Sequence, residues 1–316
     1  MQGTSKLVIL IITGLLAVLT VFFNLYILLM SLANYKQKKK WAPCETIVAA
    51  LSVGNGAHQL VCYFWMTMGQ MDQRCLISHL FYTVVLLLIF SLKFTVMWTT
   101  AFLTFYYSTK LVTAPNRCYT HAREAIVKHA AAVVGLIPLA GLLTCMPMMA
   151  AFHEHSGNRT SLHRDCGVIM PDTASGRVYD ALYLVATDVL PGLLMIKCCV
   201  SISVHLAIHL RHMKSSTNGA HAPKLGTQMR VIRMTLSLVA VFLCFLVVDL
   251  YVNYQISVNH DNVIVLSFFA TSFYTAVSAA VLIYGKKTFW KALVALCLNE
   301  LPCLANREVP SAPANN

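Results

Sequence analysis

Seven long apolar blocks dominate this sequence, at about 7–33, 45–68, 77–109, 128–152, 179–209, 231–256 and 263–284. A helix rises about 1.5 Å per residue, so about 20 residues cross about 30 Å of hydrocarbon. Each block is long enough to do so. Only 11% of the 316 residues are charged and 58% are apolar, with a mean hydropathy of +0.66. A water-soluble chain needs more charge than that to cover its surface. The expected fold is therefore all-α: a seven-transmembrane helix bundle. The first block, Leu7 to Leu32, is too long for a cleaved signal core and is flanked by Lys6 and by Lys36, Lys38, Lys39 and Lys40, so it is expected to stay as a span. The third is longer than a bilayer requires and is expected to tilt or to project beyond the hydrocarbon. No internal repeat or long linker points to a second domain. The chain divides into a membrane-spanning body, 1–284, and a tail, 285–316.

Lysine and arginine bias sets the orientation. With the N-terminus outside and the C-terminus cytoplasmic, the inner segments carry 17 such residues. They are Lys36, Lys38, Lys39 and Lys40, then Lys110, Arg117, Arg123 and Lys128, then Arg211, Lys214, Lys224, Arg230 and Arg233, and finally Lys286, Lys287, Lys291 and Arg307. The outer segments carry five: Lys6, Arg74, Arg159, Arg164 and Arg177. The net charge of +12 is thus spread over short tracts between spans. That pattern fits phosphate headgroups and a cytosolic partner and argues against nucleic acid. Asn158-Arg159-Thr160, a glycosylation triplet, falls on the side that charge assigns to the exterior. Cys75 and Cys166 share that side, where a disulfide is permitted.

After the seventh span, Gly285 offers a helix stop. Phe289, Trp290 and Leu293 then form an apolar stripe at helical spacing, as expected of a short amphipathic helix on the inner face. Cys297 and Cys303 stand where acylation occurs, although unmodified cysteines explain them as well.

Ionisable residues inside a span need a partner or a wet cavity. Four stand out: Lys93, Asp188, Lys197 and Asp249. Counted from the inner helix ends, Lys93 lies about 24 Å above Thr109 and Asp249 about 27 Å above Val231. Asp188 lies about 31 Å above His209, and Lys197 about 18 Å. Lys93 and Asp249 therefore share a level, Asp188 is expected at the outer rim and Lys197 deeper. The functional reading is a ligand pocket open to the outside between spans three, five and six. In it Lys93 offers a cation to an anionic or strongly polar ligand group, and Asp249 holds Lys93 charged. Asn253 lies one turn outward of Asp249, Trp65 supplies a flat wall, and Lys197 reaches towards Asp249. The plainer reading is an internal salt bridge that locks the bundle. Aromatic residues such as Trp98 are expected to pack between helices. Pro191 is expected to bend the fifth span, while Ala132, Gly135 and Gly141 allow close packing of the fourth.

Enzyme signatures are missing: there is no His-Glu-x-x-His, Gly-x-Ser-x-Gly, phosphate loop or Cys-x-x-Cys. His205, His209 and His212 share a helical face without an acidic residue to complete a metal set, and a place beside headgroups explains them better. No cofactor or metal is expected.

Several stretches carry a resemblance. His209-x-x-x-Met213, Lys214-Ser215-Ser216-Thr217-Asn218-Gly219, Pro223 and Arg230-Val231-Ile232-Arg233 lie between spans five and six. Trp98, Leu103, Tyr107 and Lys110 follow in span three, Asn24 in span one, Pro191 in span five, and Leu282-Ile283-Tyr284-Gly285-Lys286-Lys287 at the end of span seven. In these the chain resembles the type 2 (bitter) taste receptors, which are coupled to G proteins. It departs from their usual pattern at four places, with Asn55 where they carry Arg, Ser278-Ala279 for His-Ser, Asp249 for Tyr and Lys93 for Asn. The resemblance associates the Lys93 position with ligand contact and marks the chain as a divergent member. It implies a chemosensory receptor for a small extracellular ligand, which the Lys93 reading allows to be acidic, and a heterotrimeric G protein of the gustducin-like or inhibitory class. Lys110, Arg211, Lys214, Arg230 and Arg233 form a basic rim suited to an acidic helix of that partner, although the same charges also set topology. A pheromone-type or other G-protein-coupled receptor is the alternative. A transporter is more distant, since it would show repeat symmetry and paired broken helices.

Overall fold

The computed structural model describes residues 3–39, 41–72, 76–112, 117–155, 174–215, 225–259 and 264–305. Asn158 and the two disulfide candidates Cys75 and Cys166 lie outside them, as do the side chains of Lys214, Cys297 and Cys303. All regular structure among the described residues is helical. The helices are α1 (Gly3–Lys38), α2 (Pro43–Met71), α3 (His79–Leu111), α4 (Arg117–His155), α5 (Ala174–Leu184), α6 (Leu190–Ser215), α7 (Leu225–Asn259), α8 (Ile264–Gly285) and α9 (Lys287–Ala305). Seven stretches are long and apolar enough to span a membrane, the fifth running from Ser175 to Ile208 through α5 and α6. The chain is a multi-pass protein of the plasma membrane, with a short helix after the last span.

Local chemistry accounts for the boundaries. Pro43 opens α2, where its missing N–H costs nothing. The Ser78 hydroxyl accepts from the Phe81 amide at the start of α3. Between α2 and α3, Asp72 accepts from the Leu76 and Ile77 amides at 2.8 and 3.1 Å and from the Tyr82 hydroxyl at 3.1 Å. Desolvation alone would push the Asp72 carboxyl up, but these donors prevail and hold it below its usual value.

α5 and α6 are joined by a π-helical turn, Val185–Val189, in which the Leu190 amide bonds the Val185 carbonyl. Pro191 explains it. Its ring has no N–H for the Thr187 carbonyl and presses on that oxygen, and a wider turn relieves the clash. The opening leaves the Ala186 carbonyl to accept the Trp98 indole N–H at 2.9 Å. Trp98 thus ties α3 to the fifth span.

α3 packs against α2, α4, α6 and α7, while α1 meets α2 and α8. Large apolar side chains such as Leu15, Val18, Leu143, Leu182 and Val247 point outward. That is the solution for a bundle whose surroundings are themselves apolar. The inner core joins Ile27, Leu51, Met97, Leu103, Phe242 and Tyr274. A second cluster nearer the start of α1 contains Trp65, Tyr82, Leu86, Ile89 and Phe268. Of the small residues expected to pack closely in α4, only Gly141 does so: a Cβ there would stand 2.9 Å from the Ser91 carbonyl oxygen. Ala132 and Gly135 are exposed, because α4 turns that face away from α3.

Candidate functional site

Three ionisable side chains from three spans meet at one buried point. Lys93 of α3 donates from Nζ to Oδ2 of Asp188 at 3.1 Å and to Oδ2 of Asp249 at 2.9 Å. All three residues are buried. Asp249 is held further by Ser267 of α8, whose hydroxyl donates to Oδ1 at 2.9 Å. Asn253 donates from Nδ2 to the Asp249 carbonyl at 2.9 Å and to Oδ2 at 3.3 Å. The Lys93 ammonium also lies 5.5 Å from the centre of the Phe245 ring, within cation–π range. Asp188 Oδ1 is left with no hydrogen-bond partner among the described residues.

Trp65 stands one layer nearer the start of α1. It is buried edge-on against Phe268 with centroids 5.1 Å apart, and its indole N–H has no partner among the described residues. His58 is also buried, with ring nitrogens 3.5 and 3.7 Å from the Cys62 sulfur. No group of three or more His, Cys, Asp or Glu residues able to hold a metal occurs among the described residues.

Two expectations are corrected. Asp188 is not at a rim; it is fully buried at the level of Lys93 and Asp249. The depth count assumed that all spans end at one inner level, but the helices run on by different amounts, α6 to Ser215 and α3 to Leu111, so heights counted from their ends share no origin. Lys197 does not join the cluster. It is exposed, on the face of α6 that carries Leu193, Ile196 and Val200. Nine residues beyond Asp188, at 100° per residue, it points half a turn away from it. Lys197 carries its charge outward along its stem, not into the bundle.

Ser267 was missed because a span hydroxyl normally bonds its own helix, as Thr271 does to the Ser267 carbonyl at 2.8 Å. Asp180 was missed too. It is half-buried near the start of the fifth span and close enough to Lys93 and Asp249 for their charges to act on it.

At the opposite end, Lys110, Arg211 and Arg233 are exposed and Arg230 is half-buried. They come from the end of α3, the end of α6 and the start of α7, which the alternating helices bring to one end of the bundle. There α9 is docked by the Tyr26 hydroxyl, which donates to the Phe289 carbonyl at 2.7 Å. Phe289 is fully buried, whereas Trp290 of the same expected stripe is exposed and packs edge-on against Tyr284.

A family model described as taste receptor protein (TAS2R) matches residues 1–300. The chain belongs to that family. Its members are bitter-taste chemosensory receptors coupled to G proteins, not enzymes, so this receptor has a small-molecule ligand and a G-protein partner. No match is found among curated proteins. Lys93 and Asp249, two of the four departures from the type 2 pattern, turn out to be partners in the receptor. A third, Asn55, donates to Asn24 Oδ1 at 3.4 Å.

Proposed function

We propose that the layer of Lys93, Asp188 and Asp249 is the ligand-binding level, reached from outside, and that the opposite, basic end faces the cytosol. The 17-to-5 bias of Lys and Arg supports that orientation. In it Asn158 is a glycan acceptor, and Cys75 and Cys166 share the oxidising side, where a disulfide tethers the outer loop over the site. Asn253 and Trp65 complete the lining, Trp65 offering its indole N–H. Lys110, Arg211, Lys214, Arg230 and Arg233 present the basic surface to a heterotrimeric G protein of the gustducin-like or inhibitory class.

The observation that carries this reading is the meeting of α3, the fifth span, α7 and α8 through one ionic cluster with an unused acceptor. A ligand that rearranges the cluster changes the relative positions of all four helices. Taking the active arrangement from 1% to 99% requires about 5.5 kcal/mol of differential binding. Desolvated polar contacts supply energy of that order more readily than apolar contact alone. Asp249→Asn tests the proposal, because Lys93 keeps Asp188 as its counter-charge. Cell-surface staining should be retained while the calcium response to activating compounds is lost or their rank order changes. An unaltered response and rank order would remove the site from this level.

A further inference from the structure

We infer that the ligand of this receptor carries a positive charge: a protonated amine on an apolar body, donating to Asp188. This rests on the reading of the Lys93 level as the ligand site. Formal charges there are +1 from Lys93 and −1 each from Asp188 and Asp249, a net −1. A proton on one of the carboxyls or a cation brought by the ligand removes that excess, since an uncompensated charge is costly in a buried setting. Among the described residues, neither Asp180, a further carboxylate, nor His58, turned to Cys62, supplies that cation.

Lone pairs are unevenly used. Lys93 occupies Oδ2 of both aspartates, and Ser267 occupies Oδ1 of Asp249. Asp188 Oδ1, on a residue with no exposed surface, is the acceptor left over. An ammonium donor there forms a charge-assisted hydrogen bond without taking the place of Lys93, and its pull on Asp188 shifts the cluster. An anion has no such place: the Lys93 ammonium is already held by two carboxylates, and a third negative group would face both of them. The apolar body has its surroundings on the page as well. Ile89, one turn along α3 from Lys93, belongs to the cluster with Trp65, Tyr82 and Phe268.

The test uses the full-length receptor in cells and three compounds on one scaffold: 3-phenylpropylamine, its N-acetyl amide and 4-phenylbutyrate. Calcium responses are read in wild type, Asp188→Asn, Asp188→Glu and Asp249→Asn, each with surface staining. The amine should act at about ten-fold lower concentration than the amide, or better, with the carboxylate weakest. Asp188→Asn should erase the advantage of the amine and Asp188→Glu should keep it. The wild-type order stands on its own if Asp188→Asn fails to reach the surface. Equal potency of the three compounds, a preference for the carboxylate, silence of the amine up to millimolar concentration, or an amine preference that survives Asp188→Asn would each overturn the inference. If Asp249→Asn changes responses while ligand charge does not matter, the site stands and the charge class falls. If Asp249→Asn changes nothing, the underlying site reading fails.

Discussion

The two ends of the helix bundle are joined by opposite means. Near the start of α1, helices are held by charge: one ammonium between two carboxylates, with Ser267 and Asn253 in support. At the basic end, α7 and α8 are held by shape. Gly285 lies so close to Met234 that a Cβ added there would collide with the Met234 Sδ and Cγ atoms. Side chains that reach across a gap tolerate changes of distance but not of charge. A contact without free volume tolerates changes of polarity far better than changes of size. A ligand can therefore act on the first end chemically, while the second resists displacement until the helices move apart.

The largest effect should come from Lys93→Met, which leaves two buried carboxylates without a counter-ion. It should cost about 3–5 kcal/mol, seen as a lowered Tm of the purified receptor and reduced surface expression. Adding Asp188→Asn and Asp249→Asn to that variant should restore much of the loss. If Lys93→Met melts like wild type, charge is not what holds this end.

Gly285→Ala comes next, at about 1–3 kcal/mol from overpacking. Met234→Ala in the same chain should recover part of it, and a thermal-unfolding double-mutant cycle measures the recovery. Strict additivity of the two changes would break the claim that shape closes the basic end. Trp98→Phe removes the donor to the Ala186 carbonyl and should cost about 1 kcal/mol, again read as Tm, while charge-dependent ligand preference is kept. The smallest effect is expected of Lys197→Leu, within about 0.5 kcal/mol and with an unchanged response profile, since its side chain is exposed. A shifted ligand preference in that variant would return Lys197 to the site.

Much of this could be read in advance. Counting residues from the inner ends put Lys93 and Asp249 at one height, and they touch. The same arithmetic failed for Asp188, because it needs a common origin for every helix and the helix ends do not supply one. It said nothing useful about Lys197, since depth along an axis carries no information about which way a side chain faces. Pro191 announced an irregular fifth span, but not that the irregularity would be a π turn with the Trp98 indole on its open carbonyl.

Apolar run length alone determined that this chain crosses a membrane seven times, because about 30 Å of hydrocarbon sets a minimum length that needs no knowledge of neighbours. Placing costly charges in spans likewise announced that they must find partners. Which partners, and with how many acceptors left over, depended on helix rotation and register. Those follow from packing α3 against α2, α4, α6 and α7 at once, a condition that links residues as far apart in the chain as Lys93 and Asp249.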